Sequence, residues 1–352
     1  MNRFHIIGRL AVIVTGLAGA LLGLSAGAAQ AAVAGLPLGG NPHGRPALAS
    51  PRPEPPGRNK HSRLPAAPGS RLTLAQAPAG LRAAVRRTLG NPAAPAGSAA
   101  QQAKLTAADG TAGDQFGLAV ALSGSTAVVG APFKNSETGA AYVFVRSGTI
   151  WSQQAKLTIA HGAAGAGLGW SVALSGSTAV VGDPRNNSFS GAAFVFVRSG
   201  TTWSRQAKLT AAAHGFQQFL GQSVAVSGAT VVAGAPSNGT ADVFVRSGTT
   251  WSRQAKLTGP VGSFGWSVAL SITPASEATA VVGSPLENSF TGAAYAFVRA
   301  GTTWSRQARL TAADGAANDE FGGSVALSGS SAIVGAPGTN ANTGAAYVFV
   351  KV

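Results

Sequence analysis

Two loops carry carboxylates in the same arrangement. Asp109 and Asp114 precede Phe116, and Asp314, Asp319 and Glu320 precede Phe321. Calcium takes about six to eight oxygen ligands, so several acids must converge on one short loop to hold it. With two or three each in Gly/Ala-rich surroundings, Asp109, Asp114, Asp314, Asp319 and Glu320 are weak metal candidates, and solvated acids are the commoner outcome. Asp183 stands alone after Gly182. A glycoside hydrolase needs two carboxyls across the scissile bond, and Asp109, Asp183 and Asp314 would supply them only if their loops met at a common axis. His161 and His214 fall in two further loops. Trp170 and Trp266 replace Leu118, Gln222 and Gly323 at one position of a repeated scaffold, which is where a binding site is grafted; core filling is the competing use. These seven residues, Trp170, Trp266, Asp109, Asp183, His161, His214 and Asp314, are the ligand-binding candidates. No His-Glu-x-x-His or Walker pattern is present. The Gly-rich stretch 162–169 lacks the following helix of a dinucleotide site.

Composition narrows the class. The 352 residues include no Cys, which excludes disulfides, thiolate metal sites and a thiol nucleophile. Met1 to Ala31 has the form of a general secretory signal peptide: Arg3 and Arg9, an apolar run from Leu10 to Leu24, then Ala29-Gln30-Ala31 as a cleavage pattern. The run is short of the roughly 20 residues that span a bilayer. Residues 32–100 are rich in Pro, Ala and Arg and read as a disordered tether, with one short helix suggested at 77–89 by Leu81, Val85 and Leu89. Nine basic residues against Glu54 give the tether much of the net charge of +15.

From residue 101 the chain repeats. Gln-Ala-(Lys/Arg)-Leu-Thr recurs at Gln102, Gln154, Gln206, Gln254 and Gln307, with repeats starting near 101, 153, 205, 253 and 306. Each contains four strand-length segments bounded by turn residues. Ala140 to Val145 is apolar on both faces, as a strand between neighbouring sheets must be. In Gln102 to Leu105 polar and apolar residues alternate, which suits an outer strand. Units of this kind cannot bury both faces alone, so the domain, 101–352, is expected to be all-β: a five-bladed β-propeller. The last repeat ends one strand short at Val352 and the first begins with a spare one at 102–106. That N-terminal strand is expected to close the ring.

Phe116-Gly117 followed by Gly130-Ala131-Pro132 resembles the FG-GAP repeat of integrin α-chain propellers, as do Phe264-Gly265 with Gly283-Ser284-Pro285 and Phe321-Gly322 with Gly335-Ala336-Pro337. The copies Leu168-Gly169 with Gly182-Asp183-Pro184 and Leu220-Gly221 with Gly234-Ala235-Pro236 are degenerate. The closest likeness is to the compact repeat of secreted bacterial proteins. That family's calcium loop lies between the FG and GAP strands. Here Ser123-Gly-Ser125 and its copies are tight turns without carboxylates, so no cofactor is expected.

The propeller's charges separate by face. Eight of its ten acids fall in the varied loops of one face, and 13 of its 15 basic residues sit on the outer two strands or their hairpin. Trp151, Trp203, Trp251 and Trp304 recur after that hairpin and are expected to pack, with Arg available to stack on them. These features imply an exported, non-catalytic binding or adhesion module, monomeric and without affinity for nucleic acid. Its partner would be an extracellular protein or cell-surface glycan met through the varied loops. A carbohydrate-binding or hydrolysing propeller is the alternative. The basic tether and rim would suit an anionic envelope polymer.

Overall fold

The computed structural model describes residues 29–30, 101–160, 162, 164–211, 217–273 and 277–350. The expected tether, its helix at 77–89, His161, His214 and all of the leader except Ala29–Gln30 lie outside these residues.

Each repeat folds as an antiparallel meander, in which two-residue turns join the first strand to the second, except in the fourth blade, and the third to the fourth. In the first blade β2 (Val120–Ser123) turns through Gly124, at φ 57°, into β3 (Thr126–Ala131). β4 (Ala140–Ser147) turns through Gly148, at φ 60°, into β5 (Ile150–Leu157). Glycine adopts these left-handed conformations without a Cβ penalty. The second blade is β6 (Ser171–Ser175), β7 (Thr178–Asp183), β8 (Ala192–Ser199) and β9 (Thr202–Leu209). The third is β10 (Ser223–Ser227), β11 (Thr230–Ala235), β12 (Thr240–Ser247) and β13 (Thr250–Thr258). The fourth is β14 (Ser267–Ile272), β15 (Ala278–Ser284), β16 (Ala293–Ala300) and β17 (Thr303–Leu310). The fifth has three strands: β18 (Ser324–Ser328), β19 (Ser331–Ala336) and β20 (Ala345–Val350). The chain is an all-β, five-bladed propeller.

Blades meet through glycine. A Cβ on Gly130 would overlap the carbonyl of Gly169 in the next blade, and Gly182, Gly234 and Gly283 face Gly221, Gly265 and Gly322 in the same way. The serine opening each following inner strand extends this chain of contacts, with Ser171, Ser223 and Ser267 donating to the carbonyls of Gly221, Gly265 and Gly322 at 2.8 Å. Farther out, each outer strand carries a bulge whose extra residue is glutamine. Gln154, Gln206 and Gln254 accept from the indole N–H of Trp203, Trp251 and Trp304 in the next blade, at 2.8–3.0 Å. Arg146, Arg246 and Arg299 cover the rings of Trp151, Trp251 and Trp304. The recurrent tryptophans are therefore blade-to-blade clamps.

The closing pairing expected of 102–106 is not formed. Residues 101–107 lie in no strand, and Leu105 and Ala107 pack against the first blade's own cluster around Tyr142 and Phe144. Gly335 and Gly117, which a fifth junction would press together, have no such contact: a Cβ on Gly117 would meet nothing. Among the described residues the glycine junction therefore forms four times and not a fifth. The far face of the fifth blade is left open, with Val348 69% exposed where its counterparts Val143 and Val195 are fully buried. At the inner edge β1 (Ala29–Gln30), inside the expected leader, pairs with β2.

The junction yields a paired test. Gly221→Ala forces a left-handed alanine and overlaps the Ala192 carbonyl, whereas Gly117→Ala at φ 99° pays only for its backbone. The expected losses are about 2–5 kcal/mol and about 1–2 kcal/mol respectively, read by denaturant melting. Equal losses would mean that Gly117 meets a partner in solution and that the ring closes.

Candidate functional site

The varied face is built from the connections between the second and third strands and from those that link blades. After the GAP-like proline, four blades make a tight left-handed turn. Asn135, Ser136 and Glu137 all have φ between 51° and 65°, and Asn187-Ser188-Phe189, Asn288-Ser289-Phe290 and Asn340-Ala341-Asn342 repeat it. Asparagine tolerates this region well and phenylalanine poorly. The turn lifts Phe189 and Phe290 into solvent, 39% and 42% exposed. Phe219 of the next connection stacks against Phe189 with centroids 5.6 Å apart. Leu286 and Val261 add further exposed apolar surface to this face.

The second blade's mouth differs from the rest. Ser171 pairs with Gly182, which sets Trp170 and Asp183 side by side at the end of one hairpin. Arg185 then stacks its guanidinium 5.0 Å from the centre of the Trp170 ring and 5.5 Å from that of Phe133, a residue of the first blade. Its N–H donates to Glu137 at 3.1 Å. Two polar atoms here are buried without a partner among the described residues: the Trp170 indole N–H and Asp183 Oδ1. The other oxygen, Asp183 Oδ2, accepts from Asn186 at 2.9 Å. Burial pushes the Asp183 carboxyl up to about 6, against the lowering effects of Asn186, Lys208 and Arg185. An unpaired donor, an unpaired acceptor and a stacked cation thus sit together between blades one and two. Both unpaired atoms are buried, Asp183 completely, so a ligand with hydroxyls or amides reaches them only if the side chains around them move.

The FG-GAP repeat model matches residues 99–144, 151–196, 203–249 and 304–349. The chain belongs to the FG-GAP repeat family. The matches include the two repeats with degenerate glycine motifs and leave out residues 250–303, which hold the first three strands of the fourth blade. That blade follows the shortened connection Gly259-Pro-Val-Gly-Ser263, and its inner hairpin is the long one. Among solved structures, the chain is similar to a putative 6-phosphogluconolactonase from Bacteroides uniformis ATCC 8492. Identity is 15%, the TM-score is 0.43, and the match covers 65% of this chain and 69% of that one. No curated protein matches.

The FG-GAP scaffold keeps the remaining candidate acids on separate blades. Asp109 is held in blade one by Lys156 at 2.7 Å and by the Tyr142 hydroxyl at 2.7 Å. These bonds, Lys156 first, lower its carboxyl to about 2. Asp114 is buried, which raises its carboxyl, but Thr111 and Lys134 more than offset this and leave it lowered. Lys134 is itself buried, and its ammonium donates to Asp114 at 3.0 Å and to the Asp109 carbonyl. Asp314 takes the Tyr347 hydroxyl in blade five at 2.9 Å, and Asp319 caps its own loop through the Ala316 N–H at 2.7 Å. Burial raises the Glu320 carboxyl. Asp109, Asp183 and Asp314 are not brought together, and among the described residues no three metal-ligating side chains form a group. Trp266 lies half-buried beside Phe264-Gly265, with no Arg stacked on it.

Sequence reasoning found Trp170 and Asp183 one at a time and missed Arg185, Phe133 and Glu137. A signal was present: the residue after the GAP-like proline is Phe133, Arg185, Ser237, Leu286 or Gly338, so one copy alone places a charge there.

Asp183 gives a pH test. Its folded value, near 6, exceeds the ordinary 3.8. The folded state therefore holds the proton more tightly, and this residue's contribution to stability is fully present below pH 4. It is lost as pH rises through 6, by about 3 kcal/mol. Asp183→Asn is expected to abolish that decline, read as the difference between the two proteins' unfolding free energies at pH 4 and pH 7.

Proposed function

We propose that this FG-GAP propeller is an exported, non-catalytic binding module that engages an extracellular protein or cell-surface glycan through its varied face. The observation that carries the reading is the mouth between blades one and two. There Trp170, Asp183 and Arg185 combine an aromatic platform with unmet hydrogen-bonding capacity on an otherwise repetitive scaffold. Exposed Phe189, Leu286 and Phe290 on the same face extend the surface, and binding interfaces favour aromatic and Arg anchors of this kind. Export rests on the leader-like sequence 1–31. Among the described residues no helix is long and apolar enough to cross a membrane.

A carbohydrate-directed module is the second reading, favoured by the stacked Trp170 and its unpaired indole N–H. Hydrolysis has less support, because the mouth offers Asp183 fully buried and Glu137 engaged by Arg185. The basic rim and tether favour an anionic envelope polymer as an additional contact, screened by salt.

A glycan array and a pull-down from extracellular fractions, each run with the wild type, Trp170→Ala and Arg185→Ala, test the proposal. Both variants are expected to weaken capture at least tenfold while melting like the parent. Capture unaffected by either substitution would move the site elsewhere. Turnover in a parallel polysaccharide hydrolysis screen would overturn the non-catalytic reading.

A further inference from the structure

Blades one and five carry the same loop with one exchange. In both, an aspartate accepts a tyrosine hydroxyl (Asp109 from Tyr142, Asp314 from Tyr347), and a second, buried aspartate caps the loop (Asp114, Asp319). In blade one the space between them is filled from the next loop. Lys134 places its ammonium against the Asp109 carbonyl, Thr111 Oγ1 at 3.5 Å and Asp114 Oδ2 at 3.0 Å. Lys156 on the outer strand adds a second positive charge at Asp109. Two carboxylates there face two cations.

Blade five has the carboxylates and neither cation. The residue two positions after the GAP-like proline, Lys134 in blade one, is Thr339 here. The outer strand that would bring the counterpart of Lys156 is missing from this blade. Among the described residues, neither Asp314 nor Asp319 has a basic partner within ion-pair distance. Lys104, which the spare strand would carry, is exposed. Thr339 is 95% buried, being 5% exposed, and its Oγ1 has no partner of good hydrogen-bonding geometry. It lies against the Tyr347 hydroxyl, which donates to Asp314 and lies within reach of the Asp319 charge. A short side chain thus replaces a long one, leaving an unmet oxygen and two uncompensated charges around the place where blade one holds an ammonium.

We propose that the blade-five loops bind a calcium ion between Asp314, Asp319 and Thr339, at the place that Lys134 fills in blade one. The donors are all oxygen, as a hard cation requires, and water completes the shell on the side where Asp314 is exposed. Asp114 accepts both a loop N–H and the Lys134 ammonium on one oxygen, so the N–H from Ala316 does not block the equivalent oxygen of Asp319. Blade one, already neutral, does not compete.

The test uses the full chain with terbium as a luminescent stand-in, sensitised by Tyr347, and calcium as competitor. Wild type is expected to give emission that saturates at one equivalent and is displaced by calcium. Asp319→Asn should weaken terbium binding at least tenfold. Thr339→Lys should abolish binding and raise the melting temperature without calcium, because it rebuilds the blade-one arrangement. No saturable emission from wild type, or emission unchanged in both variants, overturns the proposal. If Asp319→Asn fails to fold, Thr339→Lys alone decides.

Discussion

The structure depends on one close approach, between backbones that carry no side chain. Each GAP-like glycine lies so near the carbonyl of the following FG-like glycine that a single Cβ would overlap it. Glycine is required on both sides, since the second also sits at φ between 87° and 96° in Gly221, Gly169 and Gly322. Serine then donates to the same carbonyl. Blades cannot slide or tilt against this contact, so packing farther out recurs in register. Phe321 meets Tyr347 and Phe349 as Phe264 meets Tyr295 and Phe297. The outer Trp–Gln clamp follows from the same constraint, because it can form only where neighbouring sheets keep a constant separation.

Much of this was legible. Strands, their order within a blade, the tight turns and the packing role of the repeated tryptophans all follow from alternation and from Gly at fixed offsets. What the repeat count could not supply was the partner of the spare strand. Leu105 and Ala107 have an apolar surface of their own blade, around Tyr142 and Phe144, to pack against, and the alternation in 102–105 does not say which of the two surfaces they cover. The bulge was equally hidden, since an extra residue such as Gln154 shows itself only against its partner strand. The Lys134 contact was missed for a related reason. It joins loops 20 residues apart, and a lone lysine in a polar turn reads as solvated.

The candidate site shows how a repetitive scaffold acquires individuality. Glycines, serines and the Trp–Gln pairs cannot vary without breaking a junction. The last residue of the GAP-like strand varies in its side chain from copy to copy, although its backbone meets the next blade. There the chain has Ala131, Asp183, Ala235, Ser284 and Ala336, followed at a further offset by Lys134, Asn186, Glu287 and Thr339. Each choice is answered locally. Glu287 takes the Tyr295 hydroxyl and Arg309; Ser284 pairs with Ser263; Asp183 has Asn186 for one oxygen and nothing for the other. Repetition makes such exceptions measurable, because four other copies show what the same position does when it is satisfied.

The two ends of the array break the repetition in a different way. An inner blade gains on one face the loop that opens its own repeat and on the other the next blade. The first blade keeps its loop, so Leu105 and Phe116 cover Tyr142 and Phe144 much as Phe321 covers Tyr347 and Phe349. Among the described residues no blade packs on the far face of the fifth, and alternate residues of β20 are left in water. An unpaired strand edge with a half-exposed apolar face is a template for further pairing. The missing outer strand removes three things together: the backbone partner of β20, the glutamine-bearing bulge that would clamp a next blade, and the cation that elsewhere meets the tyrosine-bound acid. The exposed edge and the uncompensated carboxylates of blade five thus both follow from the lack of an outer strand among the described residues, the first apolar and the second electrostatic.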